Sequence, residues 1–129
     1  MQPRPTAAEI LTVVGEVLER DIVPALSGPV QHQARVAASL VGIVERELRL
    51  ASAADAAEAT AIAGLLGSDG TAGTDAADLV ALRARLVERL RDGLGDDPET
   101  GAAVWQALFD AVRADLAIVK PGHDDWQGD

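Results

Sequence analysis

No cysteine occurs anywhere in the chain. Disulfide staples, thiolate nucleophiles and zinc–thiolate sites are therefore excluded, and a reducing, cytoplasmic setting fits the composition. Tyrosine is missing as well, and Trp105, Phe109 and Trp126 are the only aromatic residues. Large rings cannot fill the interior, so Ala, Leu and Val must do so. Ala has the highest helix propensity and lets helices approach closely. Cations are scarce, with 11 Lys and Arg against 21 Asp and Glu, a formal net charge of −10. Such a surface repels phosphate backbones and anionic bilayers, which argues against nucleic-acid and membrane partners. No apolar run approaches the roughly 18 residues of a membrane-spanning helix. The opening Met1-Gln2-Pro3-Arg4-Pro5-Thr6 lacks the apolar stretch of a signal peptide.

What is present is helical pattern. A chain of 129 residues, 48% apolar and 25% charged, fits one globular domain. Thr6-Ala7-Ala8-Glu9 has the form of a capping box and opens a first helix to about Ile22, with Ile10, Val14, Val17 and Leu18 on one face. Pro24 ends or kinks it, and Ser27-Gly28-Pro29 marks a turn. A second helix runs from 29 to about 50. Ala37, Leu40, Val41, Val44 and Leu48 form one stripe on it; Val36, Ile43 and Leu50 form another, nearly opposite. A helix apolar on two sides is usually sandwiched, so this one is read as a central helix or as one face of a homodimer. Glu45 and Arg49 stand at i,i+4 in the favourable order.

A third segment is read from a Ser52 cap to Leu66, closed by Gly67. The glycine-rich stretch 67–74 reads as a connection. A fourth helix, about 75–92, carries the stripe Leu79, Leu82, Leu86 and Leu90 and ends at Gly93. A fifth, capped by Asp97 with Pro98 at its first position, runs to Val119 and is stopped by Pro121-Gly122. Trp105 and Phe109, one turn apart on it, are read as core. No run alternates with period two, so strands are not needed. The expected architecture is all-α, a single-domain bundle of four to five helices over residues 1–120 with a long central helix (about 29–50). A loose tail, 121–129, holds Trp126.

One polar line invites a functional reading. His32, Arg35, Ser39, Gly42 and Arg46 recur at alternating spacings of three and four, so they share a helix face. Arg35 and Arg46 on that face suit an anion or a carboxylate. The bland alternative is a solvated face, or arginines tied to Glu45 or Glu47, with Arg91 and Asp92 as a further structural ion-pair set. Metal binding is not expected: neither His32 nor His123 has a Glu three residues before it, as the helical di-metal motif requires. The loop 67–74 lacks the Gly-Lys-Ser/Thr ending of a phosphate loop. No base is placed to activate a Ser or Thr nucleophile, and the Asp-Ser-Leu site of an acyl carrier protein is absent. No cofactor is expected.

The order of the motifs carries a resemblance. Arg4-Pro5-Thr6-Ala7-Ala8-Glu9-Ile10 opens the chain. His32-Gln33-Ala34-Arg35-Val36-Ala37-Ala38 through Val44-Glu45-Arg46-Glu47-Leu48 forms the long helix, and Leu90-Arg91-Asp92-Gly93 closes the fourth segment. This pattern resembles a small, all-helical, uncharacterised bacterial family often encoded beside aminoglycoside-phosphotransferase-like kinases and acyl-CoA dehydrogenases. The chain departs from it at Ser39, where the family is expected to carry Asn, and at Lys120-Pro121, where Asn-Pro is expected. The resemblance implies context rather than mechanism. If the family's recurrent polar positions matter, those present are Arg35, Glu45, Arg46, Glu47, Arg91 and Asp92. Together these readings favour a non-catalytic accessory or interaction domain, its partner a phosphotransferase-like enzyme or a second copy. The alternatives are a binder or enzyme for an anionic or acyl ligand at His32, Arg35, Ser39 and Arg46, and a purely structural homodimer.

Overall fold

A computed structural model describes residues 3–67 and 78–123; most of the glycine-rich connection, and Trp126 with its tail, lie outside the described residues. The described residues contain four α-helices and no strand: α1 (Ala7–Val17), α2 (Gly28–Leu66), α3 (Leu79–Arg91) and α4 (Pro98–Val119). The all-α class and the long central helix are as expected. They fall into two compact units: 3–51 with 118–120, and 52–67 and 78–117 with 121–123. Residues of α2 contribute to both.

In the first unit the capping box forms. Glu9 N–H donates to the Thr6 hydroxyl at 3.2 Å, and Thr6 N–H donates to the Glu9 carboxylate at 2.7 Å. The ladder then loosens into a π-helical turn, Leu18–Ile22, and tightens into a 3-10 turn, Val23–Ala25. Pro24 has no N–H to continue the ladder, so the chain turns there. The Val23 carbonyl takes the Leu26 N–H at 3.2 Å and the Gln31 side-chain amide at 3.0 Å. The apolar face expected on α1 is displaced. Ile10 and Val14 are exposed, while Leu11, Val17 and Leu18 are half-buried, and Gly15 sits against Val41 of α2.

The separate second and third segments of the sequence reading are one helix, so Ser52 is a mid-helix residue and not a cap. The reason is local. Residues 43–63 contain neither Gly nor Pro, and residues 51–63 are mostly Ala. A lone exposed Ser inside such a run costs only a few tenths of a kcal/mol relative to Ala, too little to stop propagation. Gly67, at φ +64°, closes the helix as expected.

The second unit holds most of the core. Ala59, Ile62 and Leu66 of α2 pack with Leu79, Leu82 and Leu86 of α3, with Leu65, Leu90 and Leu94 against them. The leucine stripe read from sequence is therefore the buried face of α3. Its end is a Schellman motif: Gly93 N–H donates to Leu90 O, and Leu94 N–H to Arg89 O, with Gly93 at φ +103°. Leu94 supplies the apolar contact that accompanies this motif.

Asp97 caps α4 as expected, accepting the Thr100 N–H at 2.9 Å ahead of Pro98. Trp105 is not core, contrary to expectation. It is 68% exposed and stacks on Phe109 at 6.4 Å between centroids, with the Arg113 guanidinium 5.7 Å from the Phe109 ring centre. The inward positions of α4 near this stretch are small (Gly101, Val104, Ala107, Ala111), and such a close approach has no room for an indole.

Two tests follow from the turn before α4. A Cβ on Gly101 would stand 2.7 Å from the Gly95 carbonyl oxygen. Overpacking of about 1–3 kcal/mol outweighs the helix-propensity gain of up to ~1 kcal/mol, so Gly101→Ala is expected to lower the urea midpoint; a higher midpoint would contradict the close approach. The Thr100 N–H and hydroxyl hold the Asp97 carboxyl below its ordinary value. A depressed carboxyl stabilises the fold above its unfolded value of about 3.9, and that contribution is lost as pH falls through the lower folded value. Asp97→Asn, which caps without titrating, is expected to lag wild type at neutral pH. The gap in urea stability should shrink as pH drops below about 4.

Candidate functional site

The polar line read on α2 is a real face, but its members do not converge. His32, Arg35 and Ser39 are exposed, and Arg46 is half-buried. At 1.5 Å rise per residue, Arg35 and Arg46 stand about 16 Å apart along the axis, too far to grip one small anion. A cleft of about 160 Å³ in the same unit is lined by Gly42 and Glu45 with Leu11, Gly15, Glu16 and Ala38 among others, and by none of these four residues.

Arg46 has a defined task. Its Nε donates to the Ile118 carbonyl at 2.7 Å, across 72 residues of sequence. Ile118 lies in the last turn of α4, where helix carbonyls have no intrahelical partner and carry the negative end of the dipole. The guanidinium thus caps α4 with both a hydrogen bond and a complementary charge. Gly42 gives the guanidinium room. A Cβ there would stand 3.1 Å from Arg46 Nη1, so the bare backbone one turn back provides the surface over which the guanidinium lies. The sequence reading placed Gly42 and Arg46 on one face but could not supply the carbonyl, because backbone acceptors carry no sequence signal.

The remaining named residues are placed as follows. Glu45 pairs with Arg49 at 2.9 Å, side by side on α2. Glu47 is exposed. Arg91 pairs with Glu88 at 3.2 Å, and Asp92 is the C-cap of α3, its N–H donating to Glu88 O. Neither Glu45 nor Glu47 is what holds Arg46. Among the described residues no group of three His, Asp or Glu side chains is arranged to hold a metal ion.

A second charged pair was not singled out from sequence. Arg83 of α3 grips Glu58 of α2 through a two-pronged contact, Nε–Oε1 at 2.7 Å and Nη2–Oε2 at 2.8 Å. The hydrogen bond to Glu58 holds the guanidinium above its ordinary value; burial opposes it, and the charges of Glu58, Asp115 and Asp55 each add a lesser upward push. Its partners are 25 residues apart, beyond any local spacing rule.

These features define a class: an all-α domain whose arginines are used to fasten helices. The chain belongs to the family described as Domain of unknown function (DUF6285), whose model matches residues 24–123. No curated protein and no solved structure matches it. The matched span includes α2, α3, α4 and the Arg46–Ile118 contact, and excludes α1.

The cap has a measurable consequence. Arg46→Met keeps much of the apolar stem but removes the charge and the donor. It is expected to destabilise the fold by about 1–2 kcal/mol in urea titrations. An unchanged midpoint would show that the Ile118 carbonyl needs no guanidinium.

Proposed function

We propose that this is a non-catalytic protein-interaction domain, and that a second copy of the chain covers an apolar ridge on α2. One observation carries the reading. In the first unit Val23 and Ala38 are the buried apolar side chains among the described residues, while Val36, Leu40, Val44 and Leu48 are exposed, Leu40 at 57% and Leu48 at 55%. A unit of some fifty residues with so little core lacks the burial that normally offsets chain entropy. Its missing burial has to come from a partner that is present wherever the chain is made, and the chain itself meets that condition.

The geometry of the ridge supports self-pairing. Val36, Leu40, Val44 and Leu48 lie at successive i+4 positions, the row that two helices interdigitate when they cross at about 50°. A two-fold axis passing between Leu40 and Val44 sets Leu40 of one copy against Val44 of the other, and Val36 against Leu48, so one patch serves both sides. Glu45 and Glu47 flank the row, three residues from Leu48 and Val44, and Glu45 is paired with Arg49, so a chain of net charge −10 can meet its copy here with few unpaired carboxylates opposed.

Light scattering after size exclusion is expected to return twice the chain mass of 13.4 kDa, and the melting temperature should rise with protein concentration. Leu40→Glu places a charge on the ridge and is expected to give a monomer of lower melting temperature. Leu40→Ala should weaken the dimer by a smaller step. A wild-type chain that is monomeric at every concentration overturns the second-copy reading. The phosphotransferase-like enzyme implied by the sequence resemblance would then be the next occupant to try by co-expression.

A further inference from the structure

A cleft of about 290 Å³ opens in the second unit. Its walls include Ala61 and Ile62 of α2, Leu86 and Val87 of α3, and Leu108 and Ala111 of α4. Ile62 and Leu86 belong to the buried core and form its floor, whereas Val87 and Leu108 are nearly half exposed and form its lips. A cavity of roughly 150 Å³ with such a lining takes up benzene, so this one has room for about twice that bulk, the size of an eight-carbon chain. An apolar cleft with a few polar groups at one edge is the usual form of a small-molecule site.

The polar edge is Glu58 with Arg83. The two are unequally placed. The Glu58 side chain is 16% exposed and the Arg83 side chain 51%, so the carboxylate sits deeper and the guanidinium lies over it from the solvent side. Glu58 already takes two prongs of the Arg83 fork, which leaves that fork poorly available to an incoming anion. Asp55 and Asp115 are also close enough to act on Arg83 through space. The charges of Asp55 and Asp115 thus add to that of Glu58 on this guanidinium, and an anionic head group at this edge would meet a fork already engaged by a carboxylate. A cationic head group would find a half-buried carboxylate whose present partner is an exposed side chain. The guanidinium holds that carboxylate from the solvent side, where a ligand ammonium can compete with it.

We propose that this cleft binds small amphiphilic cations, an apolar body of about eight carbons lying between Val87 and Leu108 and a protonated amine replacing Arg83 on Glu58. None of the α2 ridge residues lines this cleft, so amine binding and self-pairing can be tested separately.

The test is a titration of the full-length, ¹⁵N-labelled chain with octylammonium, octanoate and octanol, each below its micelle concentration. Octylammonium is expected to shift the amides of Ala61, Val87 and Leu108, with an affinity at least about tenfold above octanoate. Glu58→Gln should bring octylammonium down to the level of octanol. Arg83→Gln removes the competing cation and should tighten octylammonium binding, the opposite of what an anion site would do. Ala61→Phe, at an exposed position of the wall, should fill the cleft and abolish binding with the helical circular-dichroism signal unchanged. Octanoate binding as tightly as the amine, or more tightly once Glu58 is neutralised, would overturn the proposal. So would an Arg83→Gln variant that loses amine binding, or an absence of shifts at the cleft with all three probes.

Discussion

The unbroken hydrogen-bond ladder of α2, Gly28–Leu66, is the constraint on which the other elements depend. In each unit a part of this helix carries contacts that hold the neighbouring elements. Its first half offers Val41 to Gly15 of α1, lines a shallow cleft with α1 through Ala38 and Gly42, and offers Arg46 to the end of α4. Its second half offers Ala59, Ile62 and Leu66 to α3. Alanine keeps the ladder intact through positions 51–63 and also keeps the helix thin where neighbours approach. The same residue choice serves propensity and packing, and that consistency is what lets so few large side chains specify a structure.

The poverty in aromatics has a structural outcome. A core assembled from Ala, Val and Leu leaves many medium-sized side chains only partly covered. The exposed Val and Leu residues fall in rows, because helices place i+4 neighbours side by side. In the first unit these rows have little buried material behind them; in the second they stand beside a compact leucine core and frame a cleft. Apolar exposure therefore has two forms in this chain, a convex ridge and a concave cleft. A convex ridge is suited to another helix, and a concave cleft to a small molecule.

Arginine is used mainly as a fastener. Arg46 closes the end of α4, Arg83 joins α3 to α2, Arg49 and Arg91 pair along their own helices, and Arg113 lies over Phe109. The planar fork suits such work because it meets carbonyls, carboxylates and ring faces in fixed geometries. The functional reading of the α2 arginines from their spacing alone identified a shared face correctly. It could not see that one member is spent on a backbone carbonyl 72 residues away, while Arg35 stands about 16 Å from it along the axis.

Local signals were legible because their physics is local. The Thr6–Glu9 box, the stop at Pro24, Gly67 and Gly93 as helix ends, the Asp97–Pro98 start and the leucine face of α3 each depend on residues within a turn or two of one another. The all-α class follows from their sum. The joining of two expected segments into α2 was also within reach, since no breaker separates them, but a Ser at position 52 carries the same signal inside a helix as at its cap. The exposure of Trp105, the side of α1 that meets α2, the Arg46 cap and the Glu58–Arg83 pair were decided only in three dimensions. Periodicity shows which residues share a face, but which face is covered, and by what, depends on contacts between segments that the sequence does not place next to each other.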